Sequence, residues 1–146
     1  MADNKKQQLT IWGRANSVNV QKVLWCLREL DLAYDRIDAG MQFGKNNEAP
    51  YLSMNPNGRV PTLVEGDFVL WESNSVMRYL CMAYGENSPI YPSQPKARAG
   101  VDALIGEIEL GEAPQHFLNI DRICPAPNSE LLFIVVGHAL SLPLIL

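Results

Sequence analysis

The three cysteines, Cys26, Cys81 and Cys124, have no paired spacing. That rules out a disulfide framework and a Cys-x-x-Cys redox centre, and it suits a reducing compartment. Lys and Arg total 12 against 16 acidic residues, for a net charge of −4, and they form no run. Phosphate contacts need clustered cations, so nucleic acid is excluded as the main partner. The 2 histidines, His116 and His138, stand far apart without a partner cluster, so no metal site is expected. No basic segment leads into an apolar one at the amino terminus, which argues against a secretory signal and for the cytoplasm. Apolar residues do gather at 131–136 and 141–146, but Gly137 and Pro143 interrupt this end. It is short for a bilayer span, and membrane association is not expected.

What is present is ordinary for a soluble chain of one or two domains: 146 residues, 47% hydrophobic and 19% charged. Residues 1–8 form a polar leader. Leu9, Ile11 and Trp12 make a short strand stopped by Gly13. Val20, Val23, Leu24, Leu27 and Leu30 then recur at three- and four-residue steps, which predicts an amphipathic helix over 19–30. A second strand is expected at 34–39, followed by a loop over 40–49 with a short helix running to Leu52.

The densest stretch is Asn55-Pro56-Asn57-Gly58-Arg59-Val60-Pro61-Thr62-Leu63. Its first four residues carry turn chemistry. The strand predicted over 60–64 must hold Pro61 at its start or on an edge, because proline cannot donate a ladder hydrogen bond. Glu65-Gly66-Asp67 is a hairpin signal, Phe68 to Trp71 a further strand, and Ser73 the expected N-cap of a helix ending at Gly85, in which Met77, Cys81 and Met82 read as core residues. The order is β-α-β then β-β-α. Proline-rich 86–95 reads as a linker, and a helix begins at about 96 and is broken after Leu110 by Gly111 and Pro114.

Two helix starts attract attention chemically. At Ser73 the free backbone N–H groups and a hydroxyl suit a carboxylate, while neighbouring Glu72 suits an amine; together they would bind the amino-acid end of a zwitterion. The simpler alternative is that Ser73 only caps and Glu72 only offsets the helix dipole. At the first helix, Ser17 and Asn19 occupy the electropositive end, with Arg14 and Asn16 in the same loop. Cys26, inside that helix beside Trp25, reads as a packed small hydrophobe.

Asn-Pro-Asn-Gly-Arg-Val-Pro-Thr-Leu followed by Glu-Ser-Asn-Ser-Val-Met-Arg-Tyr-Leu resembles the glutathione-binding half of the cytosolic-type glutathione S-transferases. The resemblance covers about residues 9–102. It implies an α/β, thioredoxin-like domain over 9–85, a linker over 86–95, and over 96–146 the start of a truncated, divergent, all-helical second domain. From about Ala103 the likeness stops abruptly, as a truncation or a shifted reading frame would produce.

The resemblance also implies roles. A cis bond joins Val60 to Pro61, and the Val60 backbone pairs with the cysteinyl part of reduced glutathione, the co-substrate. Glu72 and Ser73 hold the γ-glutamyl end. Arg59 approaches the glycine carboxylate, with Lys45, Asn46 and Asn47 nearby. Ser17 or Asn19, in the bacterial serine and asparagine manner, stabilises the thiolate, since a donor at a helix N-terminus lowers a thiol pKa; Trp12 stands near where other members carry a tyrosine. The activity implied is detoxifying attack of the thiolate on a small electrophile, and the quaternary state implied is a homodimer. The second-substrate pocket lies between domains in that family. The sequence therefore leaves a second reading open: a non-catalytic interaction module or a truncated remnant without that pocket.

Overall fold

The computed structural model describes residues 8–85 and 91–109. Residues 86–90 of the linker, Cys124, both histidines and the apolar carboxyl end fall outside the described residues. The elements are β1 (Leu9–Trp12), α1 (Val18–Glu29), β2 (Tyr34–Ile37), a 3-10 turn at Met41–Phe43, α2 (Ala49–Met54), β3 (Thr62–Glu65), β4 (Phe68–Trp71), α3 (Ser73–Tyr84) and α4 (Pro95–Glu109). The four-stranded sheet has the order β2-β1-β3-β4. β1 runs parallel to β2 and antiparallel to β3, and β3 runs antiparallel to β4. This mixed sheet with its helices is the expected thioredoxin-like arrangement.

The apolar patterns choose the faces. In β1, Leu9 and Ile11 are buried while Thr10 and Trp12 are half-buried, the alternation of a pleated strand. α1 buries Val20, Val23, Cys26 and Leu27 along one stripe, each such aliphatic side chain contributing about 1.5–3 kcal/mol on full burial. The helix ends without glycine: Asp31 takes φ 51°, its N–H bonds to Arg28 O at 3.0 Å, and the Leu32 N–H reaches Leu27 O at 2.9 Å. That pair of bonds is the Schellman pattern, and buried Leu32 supplies the apolar contact that accompanies it.

Several boundaries differ from the sequence expectation. β3 begins at Thr62 rather than at residue 60, since Pro61 offers no N–H to the ladder. β2 stops at Ile37, although Ala39 O still accepts the Arg14 N–H at 3.1 Å. Met82, expected in the core, is 57% exposed, because the buried stripe of α3 is Val76, Met77, Leu80 and Cys81 and Met82 lies beside it. The short helix expected to end at Leu52 is α2, which continues to Met54.

The chain divides into two units between Met77 and Arg78. In the second, α4 opens with Pro95 at its first position, where the missing N–H costs nothing. The Gln94 side chain caps it by accepting the Ala97 N–H at 2.8 Å. Asp102 accepts from Arg78 Nε at 2.6 Å and from the Tyr91 hydroxyl at 3.1 Å, and the Arg98 guanidinium lies 5.0 Å from the Tyr91 ring centre.

Candidate functional site at one end of the sheet

Strand register brings the candidate segments together. Ile37, Trp12, Thr62 and Trp71 form one row across the four strands. The residues one step beyond that row are Gly13 after β1, Pro61 before β3 and Glu72 after β4. Loops that are distant in sequence thus leave the sheet at the same end, where α1 and α3 begin. Two electropositive helix termini flank this end.

The Arg59-Val60-Pro61 segment is held from beneath by buried polar groups. The Val60-Pro61 bond is cis. The Tyr51 hydroxyl donates to Arg59 O at 2.6 Å, and Asn55 Nδ2 donates to the same carbonyl at 2.8 Å. Tyr51 Oη also lies 2.8 Å from Thr62 Oγ1, which accepts from Asn55 Nδ2 at 3.0 Å. Tyr51 has one proton and spends it on Arg59 O, so Thr62 must donate to Tyr51 Oη. The network is then closed: every donor meets one acceptor. Asn55 Oδ1 in turn accepts the Asn57 N–H at 3.1 Å, an Asx turn that shapes the loop. Burial pushes the Tyr51 hydroxyl above its ordinary value of 10.0, opposed by the neighbouring polar side chains of Thr62 and Asn55. The Trp12 ring meets Tyr51 edge-on, 6.0 Å between centres.

On the other side, Val60 packs against the start of α1. Gly13, at φ 159°, has room for no side chain: a methyl there would come within 2.5 Å of Val20 Cγ2 and 3.3 Å of Val60 Cβ. Glycine at 13 thereby allows β1, α1 and the Val60 segment to meet. Arg59 itself is exposed, Val60 half-buried and Pro61 buried.

Ser17 occupies the N-cap position of α1, with φ −84° and ψ 125°, yet its side chain makes no capping hydrogen bond. Its carbonyl accepts the Gln21 N–H at 2.9 Å, and the residue is buried to 8% exposure. The hydroxyl is not consumed in closing the helix. Asn19 is half-buried, and its Oδ1 lies 3.4 Å from Ser73 Oγ, so the two helix starts touch.

The capping assignment at α3 changes. Glu72, not Ser73, performs it: Glu72 O accepts the Val76 N–H at 2.9 Å and Oε1 accepts the Asn74 N–H at 2.8 Å. Glu72 does so at φ 73°, a left-handed conformation uncommon for a non-glycine residue, while staying exposed. Ser73 is the first helical residue, 2% exposed, with Glu72 Oε1 3.5 Å from its hydroxyl.

Tertiary structure adds residues that the pattern did not single out. Lys22 is 4% exposed and its Nζ donates to Asn74 Oδ1 at 3.0 Å, tying α1 to the first turn of α3. Its spacing, three residues after Asn19 and four before Cys26, was the available signal. Tyr51 and Asn55 are the others; Asn55 read as a turn residue is also a core one, 1% exposed. Of the weaker candidates, Asn46 is committed to the loop, donating to Gly58 O at 2.8 Å. Cys26 is buried, its Sγ 4.0 Å from Met77 O, as a packed residue would be. Among the described residues no cluster of His, Cys, Asp and Glu could hold a metal ion, and no helix is long and apolar enough to cross a membrane.

Residues 7–81 match the model of the glutathione S-transferase N-terminal domain. The chain belongs to the glutathione S-transferase family. It is 50% identical over 93 residues to glutathione S-transferase GstB of Escherichia coli K12, an overlap covering 62% of this chain and 44% of that protein. Glutathione S-transferase 1 of Schizosaccharomyces pombe is 38% identical over 80 residues, covering 53% of this chain and 35% of its own length. The chain thus spans less than half the length of these relatives. Among solved structures, the theta class enzyme of Xanthomonas axonopodis pv. citri, with glutathione bound, superposes with a TM-score of 0.66 at 38% identity, over 92% of this chain and 64% of that one. Glutathione transferase E6 of Drosophila melanogaster gives 0.66 at 29% identity, over 70% and 46%.

Proposed function

We propose that the chain binds reduced glutathione at this end of the sheet and, with a second-substrate pocket completed, uses its thiolate to attack a small electrophile. The observation that carries the reading is the convergence of the Val60-Pro61 segment with two helix N-termini whose groups suit a zwitterionic thiol. The half-buried Val60 backbone aligns the cysteinyl residue. The first turn of α3, with Ser73, takes the γ-glutamyl carboxylate; the exposed Glu72 carboxylate faces the amine. Arg59, exposed on the segment that leads into Val60, suits the glycyl carboxylate. The solved relative with glutathione bound supports the choice of ligand.

For the chemistry, Ser17 is the better donor to the sulfur. Its hydroxyl is not used as a cap, whereas Asn19 Oδ1 is engaged toward Ser73. A hydrogen bond from Ser17, added to the field of α1, stabilises the thiolate and lowers the thiol pKa. Attack on the electrophile then requires no proton transfer at the sulfur. A cytoplasmic, homodimeric, detoxifying role accompanies this reading. Calorimetric titration with reduced glutathione tests it: saturable binding is expected, abolished in the Glu72→Ala/Ser73→Ala double variant. A folded chain that does not bind would sink it.

A further inference from the structure

Polar side chains join the starts of α1 and α3. Asn19 and Lys22, one turn apart on α1, meet neighbouring residues of α3: Asn19 Oδ1 lies 3.4 Å from Ser73 Oγ, and Lys22 Nζ donates to Asn74 Oδ1 at 3.0 Å. The Lys22 contact is buried and of ordinary length, so it helps to fix the separation at which the Asn19 contact is made. The Asn19 contact is long. The Ser73 hydroxyl is 2% exposed, yet its acceptors among the described residues stand at 3.4 Å in Asn19 and 3.5 Å in Glu72, against about 2.7–2.8 Å for an ordinary hydroxyl donor. Glu72 Oε1 is already committed to the Asn74 N–H at 2.8 Å.

A buried hydroxyl with only long contacts is held ready for a better acceptor. It carries a single proton, so giving that proton to a ligand carboxylate removes the donor from Asn19 Oδ1. Ser73 Oγ then has lone pairs open to a donor. A side-chain amide answers this change by a half-turn about its last torsion, which puts NH2 where the carbonyl oxygen stood and fills the same volume. The result is a relay, Asn19 N–H to Ser73 O–H to carboxylate, in which each hydrogen bond polarises the next. Ser17, whose hydroxyl is not used as a cap, is left to serve the sulfur.

We propose that Asn19 is a positioning residue for the carboxylate end of the ligand: it orients the Ser73 hydroxyl, donates to it once that hydroxyl turns to the γ-glutamyl carboxylate, and takes no part at the sulfur. The proposal rests on the glutathione reading above and departs from the role that the family resemblance implies for Asn19. The two residues at the start of α1 thereby divide the ligand between them.

The experiment is a double-mutant cycle read by calorimetric titration with glutathione, using the parent chain, Asn19→Ala, Ser73→Ala and the double variant. Asn19→Ala should weaken binding about fivefold, the loss of one hydrogen bond in the relay. The double variant should bind no more weakly than Ser73→Ala alone, because Asn19 acts only through that hydroxyl. The pKa of the bound thiol, followed by ultraviolet absorbance of the thiolate, should be the same in Asn19→Ala as in the parent. Asn19→Asp, which keeps the shape but has no N–H to give, should bind glutathione more weakly than Asn19→Ala, since it sets one carboxylate toward another. It decides the matter by the same comparison if Asn19→Ala does not fold. Additive losses in the cycle, a raised thiol pKa in Asn19→Ala, or glutathione affinity in Asn19→Asp equal to the parent's overturns the assignment. A parent chain that fails to bind glutathione overturns the underlying reading and this proposal together; normal parent binding with any of those three results overturns only the proposal.

Discussion

Tyr51 and Asn55 should be energetically coupled because they serve the same two partners. Each singly contacts Arg59 O and the Thr62 hydroxyl, so each is the other's reserve. Tyr51→Phe leaves Arg59 O with Asn55 Nδ2, and should cost about 1–2 kcal/mol. Asn55→Ala leaves that carbonyl with Tyr51 but also strips the Asn57 N–H of its acceptor, so about 2–3 kcal/mol is expected. In the double variant Arg59 O and Thr62 Oγ1 lose both partners, and Thr62 is fully buried. The loss should then exceed the sum of the singles by about 1–3 kcal/mol, the desolvation penalty of groups left unpaired. Against a domain stability of about 5–15 kcal/mol, this is a large fraction. Denaturant unfolding followed by circular dichroism measures all four corners of the cycle, with an unchanged slope showing that the unfolded state is comparable. Additivity within about 0.5 kcal/mol would refute the shared-partner network. Glutathione affinity should fall in the same order, because Arg59 O anchors the segment that carries Val60.

Alkaline conditions should weaken the fold through Tyr51. Burial raises its folded pKa above 10.0, so the folded state holds the proton more tightly; its contribution is complete below about pH 10 and is lost as pH climbs through the folded value. Melting temperatures followed into that range should fall less steeply in Tyr51→Phe, and identical slopes would contradict the assignment. Leu63→Ala, at a position with no exposure in the central strand β3, should destabilise by about 2–5 kcal/mol, read by the same unfolding assay. Ser17→Ala should raise the pKa of the bound thiol, seen by ultraviolet titration of the thiolate, and slow any transfer at neutral pH by about 100-fold; an unmoved thiol pKa would give the role to another donor. Arg78→Ala, breaking a partly exposed ion pair with Asp102, should cost less than about 1 kcal/mol.

Much of the fold was legible because its signals are local. Strand alternation in Leu9-Thr10-Ile11-Trp12, the three-and-four spacing from Val20 to Leu27, and the Glu65-Gly66-Asp67 turn each state a conformation within a few residues. Where reading failed, the deciding group was elsewhere in the chain. Ser73 looked like a cap because it is a good capping residue, but the left-handed turn at Glu72 brings a longer carboxylate onto the Asn74 N–H instead. Met82 looked like core because it is apolar, although its side of α3 is not the buried one.

The sequence alone determined the order of elements, the proline-opened strand, the two helix starts and the residue types at the candidate site, because propensity, turn chemistry and apolar periodicity are carried by neighbours. Tertiary structure decided what those residues have as partners. The register of the sheet places Gly13, Pro61 and Glu72 at one end. Packing buries Lys22 against Asn74, closes the Tyr51, Asn55 and Thr62 network under Arg59, and leaves Arg14 Nε without an acceptor among the described residues. Those are pairings between segments tens of residues apart, and hydrogen bonding and desolvation act on distance in space, which no local pattern encodes.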